Sequence, residues 1–493
     1  MEKALFTVYN IILLFLFPFF FIILTFFNLT KNKKSEGYLY KFFPAAFKPL
    51  KKVSFDEGVW IHAVSLGEMR AAVKFIDLLQ SEYGKKIYLS ATTKTGFDFA
   101  DNLYKSSDNV LTFYFPYDFL FSVRGILKLI RPSLFISIET EIWPNLFNVL
   151  NKKNITIALI NARISEKSYK NYIRFRFFFG YIFKKIDAVL CISDIYCERF
   201  AALGVKKENM RQTGNIKFDM DASLVAEDIK EKSEILKRFV EFKTNNNSET
   251  VDAKTAKIIA AGSTHKGEEE VIADLVIKLN KTNDKNKIFL FIAPRHPERF
   301  DEVYKLLNNY LPEIELYKLS SIYDSYYDSK GIKDNNGYGL SENKAVVVLV
   351  DIIGQLLTVY GVCGAAFVGG SLVPSGGHNL LEPLAFGKPV IFGRYVQNFS
   401  EAAEEIIKNS AGRRIDSSLE LYDALTDYLF NDKSADSAGK NGLNLIASNK
   451  GVSLRNLEYL HYKGYLRSAK SVDKKILGKK IDKKIVDKII KTD

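Results

Sequence analysis

Cysteine is scarce in this chain: only Cys191, Cys197 and Cys363 occur among 493 residues, without metal-ligand spacing. That excludes a disulfide framework and a zinc site, and points to reducing surroundings. The five histidines are scattered, so no structural metal and no cofactor are expected. The net charge of +13 comes without an arginine-rich run or an RNA-binding aromatic signature. Nucleic acid is therefore not the expected partner, and an anionic membrane surface is. The glycine-rich segment near residue 370 is neither a Walker A loop nor GxGxxG, which leaves ATP hydrolysis and hydride transfer without support.

Charge is absent from Ala4 to Asn28, which reads ALFTVYNIILLFLFPFFFIILTFFN. At about 1.5 Å per residue such a helix can cross a hydrocarbon core of about 30 Å. The run is too long for a cleavable signal peptide, and no small-x-small site follows it. Lys31, Lys33, Lys34, Lys41 and Lys48 come after it, against Glu2, Lys3 and the terminal amine before it. The positive-inside rule then leaves the remaining residues in the cytoplasm. The expectation is a single-pass anchor over residues 1–30 in the inner (cytoplasmic) membrane, with the body facing the cytoplasm.

The body, 47% apolar with the anchor included, alternates apolar runs with helical stretches. The runs are VWIHAV, KIYLSA, LTFYF, LFISIE, ITIALINA and AVLCIS, then KIIAAGS, KIFLFIAP, AVVVLVD, AAFVGGS and PVIFG. Continuous apolar strands between helices indicate parallel sheets covered on both faces. Two such sets predict an α/β protein with two Rossmann-like domains facing a cleft. The expected boundary lies near TGNIKFD, giving domains 31–217 and 218–465 and a basic tail 466–493. Two polar stretches, KTNNNSETVDAKT and SSIYDSYYDSKGIKDNNGYGLSENK, read as surface insertions. The tail spaces Ile476, Leu477, Ile481, Ile485 and Ile489 on one helix face, which suits either a membrane surface or a solvated helix. YIRFRFFFGYIFKKI, Tyr172 to Ile186, is either an interfacial patch or a core helix.

Ligands of open α/β sheets bind beyond the carboxyl ends of the strands. In HAVSLGE, Ser65 and Glu68 have capping-box spacing, and Glu68 is equally placed to take a proton from a substrate. Both readings stand, because the cap can aim the base. A glutamate near a helix N-terminus is favoured as the carboxylate, which suits a base. In the second half, GGSLVPSGGHNLLEPLAFGKPVIFG offers Gly370, Ser371, Gly376, Gly377, His378, Asn379 and Glu382. A glycine-rich loop before a helix presents free N–H groups to phosphate, and Glu382 suits ribose hydroxyls or a cap with Asn379. In AGSTHKGEEE, Ser263 and Thr264 suit an anion, while the acids Glu268 to Glu270 favour the helix start, which is the default reading for the latter two. Arg295, beside His296 in APRHPERF, can bind phosphate or carboxylate in bidentate fashion, and Lys217 can add positive charge to the cleft. A surface salt bridge is the other reading of both.

Taken in order, the apolar span, SLGE, ETEIWPN, NARIS, GNIKFD, GSTHKGEE, PRHPERF and the glycine-rich segment resemble the Kdo transferases. These are membrane-anchored enzymes that add 3-deoxy-D-manno-octulosonic acid (Kdo) to the lipid A precursor. The resemblance runs to about residue 465. It implies the GT-B fold, CMP-Kdo as donor, inversion at the anomeric carbon and Glu68 as the base. It also implies acceptor or cleft positions at Ser65, Gly67, Glu139, Arg163, Asn215 and Lys217, and no metal. The chain departs from the family at Leu380, Gln355, Arg394 and Tyr395, which bears on donor contacts. A UDP-sugar transferase and a non-catalytic nucleotide-binding membrane module are the alternatives.

Overall fold

The computed structural model describes residues 2–30, 37–47, 49, 58–219, 227–244, 256–283, 286–310, 313–329 and 344–466. The lysines at 31, 33, 34 and 48, most of each polar stretch and the basic tail lie outside the described residues. The chain divides into two compact units, residues to Asp219 with those from Gly451 onward, and Met220–Lys450.

The first unit carries a seven-stranded sheet in the order β3-β2-β1-β4-β5-β6-β7, with every pairing parallel. Its strands are β1 (Gly58–Ala63), β2 (Ile87–Ala91), β3 (Val110–Tyr114), β4 (Pro132–Ile138), β5 (Thr156–Ala162), β6 (Ala188–Cys191) and β7 (Met210–Gln212). The second unit repeats the plan as β10-β11-β9-β8-β12-β13-β14. Here the strands are β8 (Ala256–Thr264), β9 (Lys287–Pro294), β10 (Ile314–Lys318), β11 (Ala345–Leu349), β12 (Ala365–Val368), β13 (Val390–Phe392) and β14 (Gly412–Arg414). The helices that matter for function are α1 (Glu2–Thr30), α2 (Tyr38–Phe42), α3 (Leu66–Tyr83), α4 (Pro144–Lys152), α5 (Glu166–Arg174), α6 (Arg176–Phe183), α7 (Glu269–Thr282), α8 (Leu381–Ala385) and α9 (Val452–Tyr462).

Both faces of each sheet are covered, which is why the strands read as unbroken apolar runs. In β1, Val59, Ile61 and Ala63 join Met69, Phe75 and Leu79 of α3 in one buried cluster. Trp60 points the other way, into a cluster with Phe113, Phe135 and Phe147. The second unit divides in the same manner, with Ile288, Leu290 and Ile292 on one side of β9 and Phe289 and Phe291 on the other. This is the period of two that a strand imposes on its side chains.

Three expectations change. The second domain does not run to residue 465, because α9 belongs to the first unit. Val452, Leu457 and Leu460 are fully buried in the α3 cluster of that unit. The Asp219 carboxylate caps α9, accepting N–H bonds from Gly451 (2.6 Å), Val452 (3.0 Å) and Ser453 (2.5 Å). The start of the second polar stretch is not a surface insertion, since Leu319–Ser329 is a helix that buries Ile322 and Tyr323. The Tyr172–Ile186 stretch is neither one core helix nor one exposed patch. It breaks at Phe175, burying Gly180, Ile182 and Phe183 while exposing Ile173, Phe175 and Phe177.

Candidate functional site

In a doubly wound sheet, the crevice opens where neighbouring strands send their connections to opposite faces. The strand orders put that point between β1 and β4 in the first unit and between β8 and β12 in the second. The residues that follow these strands are those with chemical groups to offer.

After β1, Ser65 caps α3 and its Oγ accepts from the Glu68 N–H at 3.4 Å. The Glu68 carboxylate turns back, taking the Val64 N–H at 2.8 Å and the Ser65 hydroxyl at 3.2 Å. The capping geometry therefore forms, and it fixes where the carboxylate sits. Gly67 is exposed in the same first turn. The helix terminus does not keep this acid strong. Burial, then the charge of Glu139, pushes Glu68 up to about 7, and the Val64 N–H only partly opposes them. A carboxyl near 7 is well matched to proton transfer at neutral pH.

After β4 comes Glu139, with φ of +62°, a conformation rare for residues other than glycine. Its N–H bonds the Ile160 carbonyl of β5 at 2.8 Å, which holds the turn. The Arg163 guanidinium grips Oε2 from Nε (3.0 Å) and Nη2 (2.8 Å), and Lys217 Nζ lies 3.2 Å from Oε1. Burial works to raise the Glu139 carboxyl, but Lys217 and Arg163 outweigh it and hold it below its ordinary value. Asn215 is buried, and its Oδ1 accepts from the Lys217 N–H at 3.0 Å. Glu139, Arg163, Asn215 and Lys217 are thus one cluster. Its net charge from these side chains is positive, with Glu68 close enough to feel Glu139. Glu141 belongs beside them: burial, then Glu139, pushes it up to about 7. Sequence reasoning singled out Glu139 and missed Glu141, whose only signal is a second acid two residues on.

These charges give a signed prediction. If the Glu68 carboxylate is the active form, kcat/KM rises with pH through an apparent pKa of about 7. Glu139→Gln removes the like charge and leaves Arg163 and Lys217 without their anion. The limb is expected to move to lower pH, as read from the pH dependence of kcat/KM, and a limb that moves upward would contradict the assignment.

In the second unit, Thr264 ends β8 and Gly369 follows β12. Glu268, between β8 and α7, is fully buried and spans the switch point. Its Oε2 accepts N–H bonds from His265 (2.9 Å) and Gly370 (2.8 Å), and its Oε1 from Ser371 (3.0 Å) and Leu372 (2.9 Å). Burial nevertheless raises this carboxyl above its usual range. The N–H groups expected to await phosphate at Gly370 and Ser371 are therefore already taken. Gly369 has no room for a side chain, because a Cβ would lie 2.6 Å from the Ser263 carbonyl and 2.7 Å from Glu268 Oε2. The Ser371 hydroxyl is internal too, donating to Val368 O at 2.5 Å and accepting from Gly393 N–H at 2.8 Å. The helix after the loop, α8, is a single turn of five residues, so its dipole contributes little. Asn379 Nδ2 donates to Glu382 Oε1 at 3.1 Å and Asn379 Oδ1 accepts the Leu381 N–H at 3.1 Å, while the N-cap position of α8 is Leu380, without a side-chain cap bond.

What remains for a ligand is a cluster of rings and cations. His265 and His378 stack with Nε2 atoms 2.8 Å apart, and His296 packs edge-on to His265. Burial, aided by Arg295, His265 and His296, pushes His378 down to about 3. His265 is lowered by burial, then by His296, Arg299 and Arg295. Ser375 Oγ lies 3.3 Å from His265 Nδ1, and the buried Thr264 hydroxyl has no hydrogen-bond partner among the described residues. A bound anion would offset the repulsion among these basic groups, though not the burial that is the first cause of the histidine shifts, and could accept from the Thr264 hydroxyl. The loop after β12 turns through Gly370, Gly376 and Gly377, and β8 ends through Ser263, all at positive φ. Two of the four family departures are locally satisfied: Gln355 accepts from Tyr323 and Thr358, and Arg394 pairs with Asp416. Among the described residues no group of three or more His, Cys, Asp and Glu could hold a metal.

Two Rossmann-like units, with candidate groups at each switch point, place the chain in the GT-B class of α/β proteins. UDP-GlcNAc 2-epimerase from Neisseria meningitidis has this fold at 12% identity and a TM-score of 0.53, over 82% of this chain and 100% of that one. A glycosyltransferase from Rickettsia africae has it at 14% identity and a TM-score of 0.50, over 84% of this chain and 100% of that one.

Sequence comparison narrows the class. Residues 32–220 match the family described as 3-Deoxy-D-manno-octulosonic-acid transferase (kdotransferase). A 3-deoxy-D-manno-octulosonic acid transferase of Haemophilus influenzae is 32% identical over 408 residues, 82% of this chain and 86% of that protein. A bifunctional glycosyltransferase/methyltransferase of Fusobacterium nucleatum is also 32% identical, over 84% of this chain but only 59% of its own length. The chain belongs to the Kdo transferase family of glycosyltransferases.

Proposed function

We propose that this chain is an inverting transferase that moves Kdo from CMP-Kdo to a lipid A precursor (lipid IVA), at the cytoplasmic face of the inner membrane, in lipopolysaccharide core biosynthesis. The observation that carries the reading is Glu68, a carboxyl held at the β1/β4 switch point and pushed up to about 7. Glu68 takes the proton from an acceptor sugar hydroxyl as that oxygen attacks the anomeric carbon of Kdo. The bond from that carbon to the phosphate oxygen breaks, and CMP leaves with the electron pair. Arg163 and Lys217 hold Glu139, which keeps Glu68 basic, and Ser65 fixes its position. Gly67 keeps the approach to Glu68 open. Asn215 orients Lys217.

Arg295, with His265, His296 and His378, supports binding of the donor's carboxylate and phosphate, joined by the Thr264 and Ser375 hydroxyls. Ser263, Gly370, Ser371, Gly376, Gly377, Asn379 and Glu382 shape that loop, and most of their polar groups face inward. No metal step is needed, since one phosphate leaves with its charge opposite these bases.

The purified chain, given lipid IVA with CMP-Kdo or with UDP-sugars, tests the reading. The expected product, seen by mass spectrometry, is the acceptor plus Kdo from CMP-Kdo alone. Transfer only from a UDP-sugar would overturn the donor assignment, and binding of either nucleotide without turnover would favour a non-catalytic module.

A further inference from the structure

The apolar helix α1 does not leave the body as a free rod. One stripe of it is attached to the first unit along much of its length. Phe6 meets Phe178 and Tyr181 of α6, at ring-centroid distances of 5.7 Å each. Tyr9 donates to Asp118 Oδ2 at 3.0 Å, and Asn10 pairs with the Asn145 amide of α4 at 2.9 Å in both directions. Phe17 packs on Phe42, Phe119 and Phe121, and Phe21 on Tyr38 and Phe42. From Phe6 to Phe21 this stripe covers about 22 Å at 1.5 Å per residue, more than two thirds of a hydrocarbon core of about 30 Å.

The opposite stripe, including Ile11, Leu14, Phe15, Phe19, Ile22 and Phe26, is exposed. If α1 crossed a bilayer while attached in this way, the body would follow it into the hydrocarbon. Asp118, which also accepts N–H bonds from Asn145 and Leu146, would have to sit there too.

The surroundings fit a different depth. Exposed aromatic rings flank both ends of the attached stripe. Near Phe6 they are Phe175 and Phe177, interleaved with the exposed bases Arg174 and Arg176. Near Phe17 they are Phe43 and Phe121, which stack at 5.9 Å, with the exposed Arg124 close in sequence. Aromatic rings and bases at both ends of one apolar helix are what a headgroup boundary selects, in a single leaflet.

We propose that α1 lies in the plane of the cytoplasmic leaflet as a docking keel for the first unit, and that the chain does not cross the bilayer there. This replaces the free-standing span that the sequence suggests, and it deepens the proposed function, on which its account of the acceptor rests. A short relay of contacts then joins the lipid surface to the candidate base. Phe42 of α2 packs on α1, and its neighbour Lys41 donates to the Thr92 carbonyl at 2.7 Å. The Thr92 N–H bonds the Val64 carbonyl at 3.2 Å, and the Val64 N–H holds Glu68. The keel sets the height of Glu68 above the lipid, where an acyl-anchored sugar headgroup presents its hydroxyl.

Two measurements test this. In the first, Glu2→Cys is exposed to a membrane-impermeant maleimide in spheroplasts, with the unsubstituted protein as control. Labelling only after lysis is expected, and labelling in intact spheroplasts would show a crossing helix and end the proposal. In the second, a Tyr9→Phe/Asn10→Leu double variant keeps α1 apolar but cuts its polar tether. Transfer to acceptor in phosphatidylethanolamine–phosphatidylglycerol vesicles is expected to fall about tenfold or more, as misplacement of reacting groups does. Transfer to a deacylated, water-soluble acceptor should not change. Equal loss on both acceptors, or loss on neither, overturns the keel. So does a stable dimer in lipid-free buffer that shields the exposed stripe, which would assign that face to a second copy. If the unsubstituted protein transfers Kdo to no acceptor, the proposed function fails while the labelling result still decides the topology.

Discussion

Glu68→Gln is expected to slow transfer by about 10²–10⁴-fold, the range over which a positioned general base acts. The substitution preserves volume, and the amide oxygen can still take the Val64 N–H that the carboxylate takes at 2.8 Å. The Ser65 cap of α3 does not depend on the charge, because the bond there runs from the residue-68 N–H to the serine Oγ. A folded protein with a near-parental thermal midpoint is therefore expected, with KM for CMP-Kdo close to parental, since the groups proposed to bind the donor belong to the second unit. The pH limb near 7 should vanish along with the activity. A Gln variant that turns over at the parental rate would remove Glu68 from the chemistry.

The second large effect is expected at a residue whose importance the sequence hides. Glu268 gives its carboxylate to four backbone N–H groups, three of them in the loop after β12. Each buried donor left without an acceptor costs about 1–3 kcal/mol. Glu268→Ala strands all four, a loss comparable with the typical total stability of about 5–15 kcal/mol. Unfolding of the second unit is the expected outcome.

Glu268→Gln is the more informative change. Its oxygen can keep one pair of N–H groups, while its NH₂ faces the other pair. A folded protein is expected, with the loop displaced, KM for CMP-Kdo raised about 10–100-fold (roughly 1.4–2.7 kcal/mol) and kcat changed much less. Steady-state kinetics and donor-binding calorimetry read that split. Parental donor affinity in a folded Gln variant would show that the loop does not depend on this carboxylate.

The central strands were legible as apolar runs because both their faces are covered. The edge strands β7, β10 and β14 were not. MRQ, IELYK and GRR are half exposed, so they carry no continuous apolar signal. At the site, Glu68 was legible through its capping spacing, and Glu139, Arg163, Asn215 and Lys217 through polar residues at strand ends. Their assembly was not, since residue 139 meets residue 217 only because β4 and the chain after β7 end on the same edge of the sheet.

Composition and local pattern by themselves determined that this is a two-sheet α/β chain with an apolar N-terminal helix and a carboxylate at the first strand-to-helix turn. These follow from periodicity and from contacts within a few residues, which a sequence displays directly. Tertiary structure decided the rest. It put Glu139 near Glu68 and thereby pushed that acid towards neutrality. It spent the glycine-loop N–H groups on Glu268, more than a hundred residues away. It brought α9 back to the first unit through Asp219, and laid α1 along that same unit. Each depends on burial and on partners distant in the chain, and an electrostatic or hydrogen-bond energy exists only once folding has set the distance and excluded the water.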